Sequence, residues 1–283
     1  MEPSRRSPPP SMETGRGEHE ASQVARERIP RIDPYGFERP ADFDYASYED
    51  FFSTYLRILT NRAIKWSKLL KGKNSVQKNM KVKRYVRKGV PNEHRAFVWM
   101  ATSGAQEQMD QNPGYYRKLL EGERNDKLVE SIKTDYYSPA MMGLKTDQEV
   151  LGELVKMKIP SVANLMDRHN VMWTLVVSRW FICLFIDILP VETVLRIWDC
   201  LFYEGSKIIF RVALTLIKQH QASILEATNF PDICEKFKQV TKGPFVTECH
   251  TFMQKIFTEP GSLSTATITK LRKNCREKLL VQG

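Results

Sequence analysis

One stretch of this chain limits its fold more than any other. Residues 171–189 read VMWTLVVSRWFICLFIDIL, which is close to the length of a helix that spans a bilayer. Arg179 and Asp187 interrupt the run, and a central arginine costs about 2.5–3.5 kcal/mol on membrane insertion. We therefore predict a helix that is buried in a protein core and ended by Pro190. Such a helix must be covered by other apolar elements.

Apolar residues elsewhere in the chain recur at helical spacing, and no segment alternates in the manner of a strand. A helix is expected over about 44–70, with a break at Gly72. Further helices are expected over 191–203, with a stop at Gly205, and over 207–219. Other helical patterns cover 113–122, 125–134, the segment from Thr146, 161–169, 231–240 and 246–257. The predicted fold class is all-α.

Composition divides the chain into four segments. Residues 1–40 are polar and rich in proline, and such a segment cannot offset the entropy of ordering by burial, so we predict a disordered tail. Residues 41–83 hold the first helix and a basic linker. Residues 84–260 form the main helical domain, and 261–283 form a basic C-terminal helix.

The net charge of +10 comes from one basic block. Residues 61–92 contain eleven Lys or Arg and no Asp or Glu, whereas the rest of the chain holds 32 basic and 33 acidic residues. A block of one sign favours an acidic partner, such as an anionic membrane, a nucleic acid or an acidic protein face. A solvated helix face without any partner is the alternative.

Common catalytic and cofactor motifs are absent from the sequence. It has no phosphate-binding loop, no dinucleotide fingerprint, no nucleophile elbow and no zinc-protease motif, so we expect no cofactor and no metal. The cysteines contain no C-x-x-C pair, and an odd number without a signal peptide fits the reducing cytoplasm. The five cysteines are Cys183, Cys200, Cys234, Cys249 and Cys275.

Several strings of residues follow one another in the order of a known family. They are R-x-x-R-x-G-V-P-x-x-x-R-x-x-x-W at 84–99, YYSPAMMGLKT at 136–146, Pro160, RWF at 179–181, LP at 189–190, and LRIWD at 195–199 followed by Gly205. Over about residues 84–220 this order resembles the TBC domains of Rab GTPase-activating proteins. The resemblance implies a multi-helix domain with a Rab-type GTPase as its partner.

TBC domains, as the resemblance implies, accelerate GTP hydrolysis with an arginine from I-x-x-D-x-x-R and a glutamine from Y-x-Q-G. The arginine neutralises charge on the transferred phosphoryl group and is worth about 10³–10⁵ in rate, while the glutamine orients the attacking water. Here Ile132 and Asp135 supply the first half of the arginine motif, and Ser138 occupies the arginine position. No Tyr-x-Gln occurs anywhere in the chain.

In the family several helices separate the arginine motif from the YYSP-like segment, whereas Asp135 and Tyr136 adjoin here. We therefore predict a truncated TBC-type domain with an internal deletion at 135/136, such as a splice product or an engineered deletion. It has no catalytic residue and binds a Rab-type GTPase weakly or non-productively. The family-motif residues expected to be structural are Gly89, Pro91, Arg95, Trp99, Asp135, Trp180, Pro190, Trp198, Asp199 and Gly205.

Other functions stay open at this stage. An active Rab GTPase-activating protein could use a substitute arginine such as Arg117 or Arg124. A basic helical scaffold or a nucleic-acid-binding protein would rest on residues 61–92 alone, where only Trp66 and Tyr85 interleave with the charges, and nucleic acid is not the expected partner. We expect a cytoplasmic protein with an anionic membrane contact through 61–92.

Overall fold

The computed structural model describes residues 32–39, 43–73, 75–115, 117–118, 136–138 and 140–282. These residues form helices and one isolated antiparallel bridge, between Ile32 and Glu38, without any strand. The predicted all-α class is confirmed. The helices are α1 (Tyr45–Leu70), α2 (Met80–Lys88), α3 (Asn92–Ser103), α4 (Ala105–Gln111), α5 (Met142–Lys158), α6 (Pro160–Arg168), α7 (Trp173–Ile182), α8 (Val191–Glu204), α9 (Lys207–Gln219), α10 (Gln221–Leu225), α11 (Phe230–Gln239), α12 (Pro244–Thr247), α13 (Cys249–Thr258) and α14 (Thr265–Gln282).

The chain divides after Ile58 into two compact units. In the first unit, residues 32–39 form a turn in which the Asp33 carboxylate accepts hydrogen bonds from the N–H groups of Tyr35 and Phe37, each at 2.9 Å. Arg39 pairs with the same carboxylate at 2.5 Å. This turn belongs to the segment predicted as a disordered tail, and the rest of that segment lies outside the described residues.

The apolar run at 171–189 forms a shorter helix than the one predicted, because α7 ends at Ile182. Leu184, Phe185 and Asp187 then adopt positive φ angles. This turn brings Phe185 back into the core, where it is fully buried, and its N–H donates to the carbonyl of Trp180. Burial therefore comes from a helix and a turn together. No described helix is long and apolar enough to cross a membrane.

The segment predicted as a basic linker contains part of a helix, because α2 begins at Met80. The side chain of Asn79 caps this helix by accepting a hydrogen bond from the N–H of Val82. Val82 and Val86, one turn apart, are its two buried residues. Because these two valines stand among five cations, the helical period is hard to recognise in the sequence.

Two helices organise the second unit. Helix α5 packs against α6, α7, α9 and α14, and helix α8 packs against α2, α3, α9 and α13. Helices α5 and α8 both lie after the predicted junction at 135/136, whereas α2 and α3 lie before it. The parts of the chain on either side of the junction therefore pack against each other through α8.

Most of the other predicted helices agree with the structure to within a few residues. Helices α8, α9, α11 and α14 match the predicted segments closely, while α5 begins at Met142, ahead of the predicted Thr146. The predicted helix at 113–122 is described only at 113–115 and 117–118, and the one at 125–134 lies outside the described residues.

Candidate functional site

The carboxylate of Asp199 lies at the centre of the motif region. It sits on α8 and is only 1% exposed. It accepts hydrogen bonds from the Val90 backbone N–H at 2.8 Å, the Trp99 indole N–H at 2.9 Å and the Arg95 Nε–H at 3.1 Å. Arg95 and Trp99 are one helical turn apart on α3, and Pro91 precedes that helix. One carboxylate thus holds the start of α3 against α8.

The charges of this pair are enclosed by protein. Burial raises the pKa of the Asp199 carboxyl, and the Arg95 guanidinium and the Val90 N–H oppose that shift. Arg95 is itself only 7% exposed. Groups enclosed in this way are out of reach of a bound protein or nucleotide, so their role is to stabilise the packing of the domain.

A second ion pair joins the ends of α2 and α8. Arg87 forms a bidentate pair with Glu204, with Nε–Oε1 at 2.5 Å and Nη2–Oε2 at 2.8 Å. Lys83 and Lys207 lie 3.5 and 3.2 Å from the same carboxylate. Burial acts to raise the pKa of Glu204, but Arg87, Lys207 and Lys83 together outweigh it and hold this pKa below its usual range.

Gly89 connects these two pairs and has a conformation that few other residues could adopt. Its φ angle is 109°, and a Cβ atom placed there would lie 2.6 Å from Nε of Arg196 and 2.8 Å from Nη1 of Arg62. Its carbonyl accepts a hydrogen bond from the Trp66 indole at 3.0 Å, and Arg196 donates to the carbonyl of Arg87 at 2.9 Å. The chain needs glycine here because two buried guanidinium groups approach its backbone.

The remaining tryptophans of the motifs pack in two separate places. Trp99 lies 6.0 Å from Trp198 and 5.0 Å from Phe202, measured between ring centroids, and the Trp198 indole donates to the Leu184 carbonyl at 3.1 Å. Trp180 instead packs in the core under α11 and is 3% exposed. The structure therefore groups Trp198 with Asp199 and places Trp180 elsewhere.

Helix α8 is bounded by two predicted motif residues. Pro190 is its N-cap, and Gly205, with a φ angle of 82°, follows its last residue, Glu204. Asp135, the other residue of the predicted set, lies outside the described residues.

The position expected for a catalytic arginine is held by a serine in a turn. Ser138 is half-buried, and its carbonyl accepts a hydrogen bond from the N–H of Met141. The hydroxyl of the neighbouring Tyr137 donates to the carbonyl of Ile182 at 3.2 Å. A serine hydroxyl carries no positive charge, so it cannot stabilise charge on a phosphoryl group as a guanidinium does.

Of the two arginines that could substitute for a catalytic arginine, the structure describes one. Arg117 is exposed, whereas Arg124 lies outside the described residues, as does Ile132 of the arginine motif.

A groove of about 610 Å³ lies beside the turn that contains Ser138. Its apolar lining includes Leu184, Leu201 and Ile209. One wall is the cationic side of α14, where Arg272 makes a bidentate pair with Asp147 at 2.7 and 2.8 Å. Tyr136 and Tyr137 also line the groove.

Potential metal ligands are scattered in the described part of the chain, and most of its cysteines are buried. No group of three or more His, Cys, Asp or Glu residues there could hold a metal ion. All five cysteines are free, and three of them, Cys200, Cys249 and Cys275, are buried. Burial also raises the pKa of the Cys200 and Cys275 thiols, which makes both poor nucleophiles at neutral pH.

Comparison with known proteins identifies the family. A family model described as the Rab-GTPase-TBC domain matches residues 126–225. The growth hormone-regulated TBC protein 1 of Mus musculus is 56% identical over 355 residues, which cover 93% of this chain and 99% of that protein. The chain belongs to the TBC family.

Two further matches place this TBC chain among known proteins. The growth hormone-regulated TBC protein 1 of Rattus norvegicus is 62% identical over 285 residues, covering 93% of this chain and 99% of that protein. The crystal structure of a Chlamydomonas flagellar RabGAP TBC domain is similar with a TM-score of 0.60 and 23% identity, covering 82% of this chain and 100% of that one. This last match shows a shared fold.

The alignments also show a difference in length. The alignment with the mouse TBC protein has 355 positions, 72 more than the 283 residues of the whole chain. At least 72 residues of the mouse protein therefore have no counterpart here. The alignment with the rat protein has only 285 positions yet includes 99% of it, so that TBC protein is close to this chain in length.

Proposed function

We propose that this TBC chain binds a Rab-type GTPase weakly or non-productively and does not accelerate its GTP hydrolysis. The observation that carries the proposal is Ser138, which follows Asp135 by three residues, where the resembled motif has arginine. An arginine finger is worth about 10³–10⁵ in rate, and a second residue must orient the attacking water. The absence of any Tyr-x-Gln in the sequence removes the expected source of that second residue.

The proposal includes an internal deletion at 135/136. The first half of the arginine motif ends at Asp135, and the YYSP-like segment begins at the next residue. We assign the 72 or more unmatched mouse residues to this point. The similar length of the rat relative supports a natural shorter form, as alternative splicing would produce.

The motif residues that remain have a structural role in this proposal. Asp199 accepts hydrogen bonds from three donors while 1% exposed, and Gly89 lies against Arg196. Such buried groups maintain the packing of α3 on α8 and touch no partner. Binding to a Rab GTPase would then use the surface of this frame and would lack the groups that act on the nucleotide.

A single-turnover GTP hydrolysis assay across a panel of Rab GTPases tests the proposal. We expect less than about tenfold acceleration by this chain for every member, against the 10³ or more that an arginine finger provides. Binding of the same GTPases is measured separately by calorimetry. Acceleration of about 10³ for any Rab would overturn the proposal. Absence of binding would refute only the part that names a Rab-type GTPase as the partner.

Two sets of variants sharpen this test. Ser138→Arg should not restore activity, because the glutamine motif is also missing. If the unmodified chain is active after all, Arg117→Ala and Arg124→Ala decide whether a substitute arginine is responsible. Loss of activity in one of the two would establish the alternative of an active GTPase-activating protein.

We also propose that this cytoplasmic protein makes a peripheral contact with anionic membranes through the basic block at 61–92. The block holds eleven cations and no acidic residue. Each basic residue near an anionic surface is worth about 1 kcal/mol. Sedimentation with anionic and neutral vesicles tests this contact, and equal binding to both kinds would contradict it.

A further inference from the structure

The cations of α2 do not all face solvent. Val82 and Val86 are buried on one side of the helix. Lys83 and Arg87, also one turn apart, both reach the Glu204 carboxylate. That carboxylate has a side-chain exposure of only 2%, so these two cations are largely occupied in holding α2 to α8.

The third side of α2 is cationic and open. Lys81, Arg84 and Lys88 are exposed and follow the spacing i, i+3, i+7, which places them on one face of a helix. Lys78, just before the helix, is exposed as well, and between it and Lys81 the side chain of Met80 is 70% exposed. An open apolar side chain therefore lies at one end of a row of cations.

This combination fits an anionic lipid surface better than a nucleic acid. Interfacial helices combine basic residues with apolar side chains that enter the headgroup region. Single-stranded nucleic acids are held by exposed aromatic rings on which bases stack. The two aromatic residues of the block are unsuitable for stacking, because Trp66 is 1% exposed and Tyr85 packs edge-on against it at 5.8 Å.

We propose that Lys81, Arg84 and Lys88 lie against an anionic bilayer, with Met80 inserted among the headgroups. This inference rests on the membrane contact proposed above and names the residues that make it. Lys83 and Arg87 are not assigned to the lipid contact, since both side chains reach the Glu204 carboxylate on α8.

Sedimentation of the full chain with vesicles tests this assignment. The vesicles contain phosphatidylcholine alone or with about 30% phosphatidylserine, since the anionic lipid supplies the attraction. Lys81→Gln, Arg84→Gln and Lys88→Gln are combined in one variant. Affinity for the anionic vesicles should fall about fivefold for each cation at low ionic strength, and on the order of 100-fold for all three.

A matched variant controls for net charge. Lys238→Gln, Lys242→Gln and Lys270→Gln remove three exposed cations from other helices and loops and should leave vesicle affinity within about twofold. Both triple variants are checked for unchanged far-ultraviolet dichroism and urea midpoint, which is expected since all six positions are exposed.

Met80→Ala isolates the apolar part of the contact. It should reduce affinity roughly three- to tenfold, including at about 0.15 M salt, where screening weakens the charge attraction. Unchanged affinity would remove the insertion step from the proposal.

The outcomes separate this inference from the proposal it rests on. No preference of the unmodified chain for anionic vesicles would refute the membrane contact altogether. Salt-sensitive binding that both triple variants retain, or lose equally, would refute only the assignment to α2. Tighter binding to a DNA or RNA duplex than to the vesicles, lost in the α2 variant, would show that the face serves nucleic acid.

Discussion

Replacing Asp199 by asparagine should destabilise the domain severely, because three donors converge on its carboxylate. The substitution keeps the shape of the side chain and removes its charge. The Arg95 guanidinium, 7% exposed, then loses the counter-charge that lies 3.1 Å from its Nε. One amide oxygen must also replace two carboxylate oxygens as acceptor for Val90, Arg95 and Trp99.

The magnitude follows from the burial of this pair. Removing one partner of a buried ion pair costs about 3–5 kcal/mol, because an uncompensated charge is left behind. Burial raises the pKa of Asp199, which means that its own desolvation already offsets part of the gain, so we expect a loss near 3 kcal/mol. The free energy of unfolding of a domain is only about 5–15 kcal/mol. The urea midpoint of unfolding should therefore fall strongly.

Urea unfolding followed by far-ultraviolet dichroism measures this loss. Asp167→Asn on an exposed position is the control and should change the unfolding free energy by less than about 0.5 kcal/mol. Arg95→Met and the double variant complete a cycle in which the two losses should not add, with a coupling of at least about 1 kcal/mol. A loss below about 1 kcal/mol for Asp199→Asn, or strict additivity, would refute the reasoning.

Two further predictions concern the neighbouring groups. Glu204→Gln should make stability less dependent on acid pH. The pKa of Glu204 is held below its usual range in the folded protein, so the stability that its ionised carboxylate contributes is full at neutral pH and is lost as the pH falls below the ordinary glutamate value. Urea midpoints measured at successively lower pH should therefore decline more steeply in the unmodified chain than in the variant. Gly89→Ala should lower the free energy of unfolding clearly more than Gly104→Ala. Both glycines have positive φ angles, worth about 1–2 kcal/mol of strain in another residue, but of the two only Gly89 would bring the new Cβ against another atom, the Arg196 Nε at 2.6 Å. Equal losses of unfolding free energy in the two variants would contradict this account.

The helices that could be predicted are those whose apolar period is undisturbed. Helices α8 and α9 show it clearly, and they end at Glu204 and Gln219. Helix α2 was missed because Val82 and Val86 are its only buried residues, and five cations surround them. The end of α7 was misplaced because a buried turn around Phe185 is as apolar as a helix, and composition cannot distinguish the two.

The residues of the candidate site could be predicted from the sequence motifs, but their contacts could not. The motif strings include Arg95, Trp99 and Asp199, but nothing in the sequence shows that the three meet at one carboxylate. The pairing of Arg87 with Glu204 joins residues 117 positions apart, and no local pattern predicts a contact over that distance. Ser138 could be assigned to its position only through the resemblance to a family motif.

The hydrogen bonds to Asp199 join α3 to α8 independently of what lies between these helices. Doubling the length of a flexible connection costs only about 0.6 kcal/mol in closure entropy. At the proposed position, 135/136, the 72 or more additional residues of the mouse relative would roughly double the chain between α3 and α8. This cost is smaller than the loss expected from breaking the Asp199 pair. A single backbone cut within 119–135 should accordingly leave two fragments that stay associated and co-elute. We therefore expect α3 and α8 to stay packed against each other when the connection between them is lengthened or cut.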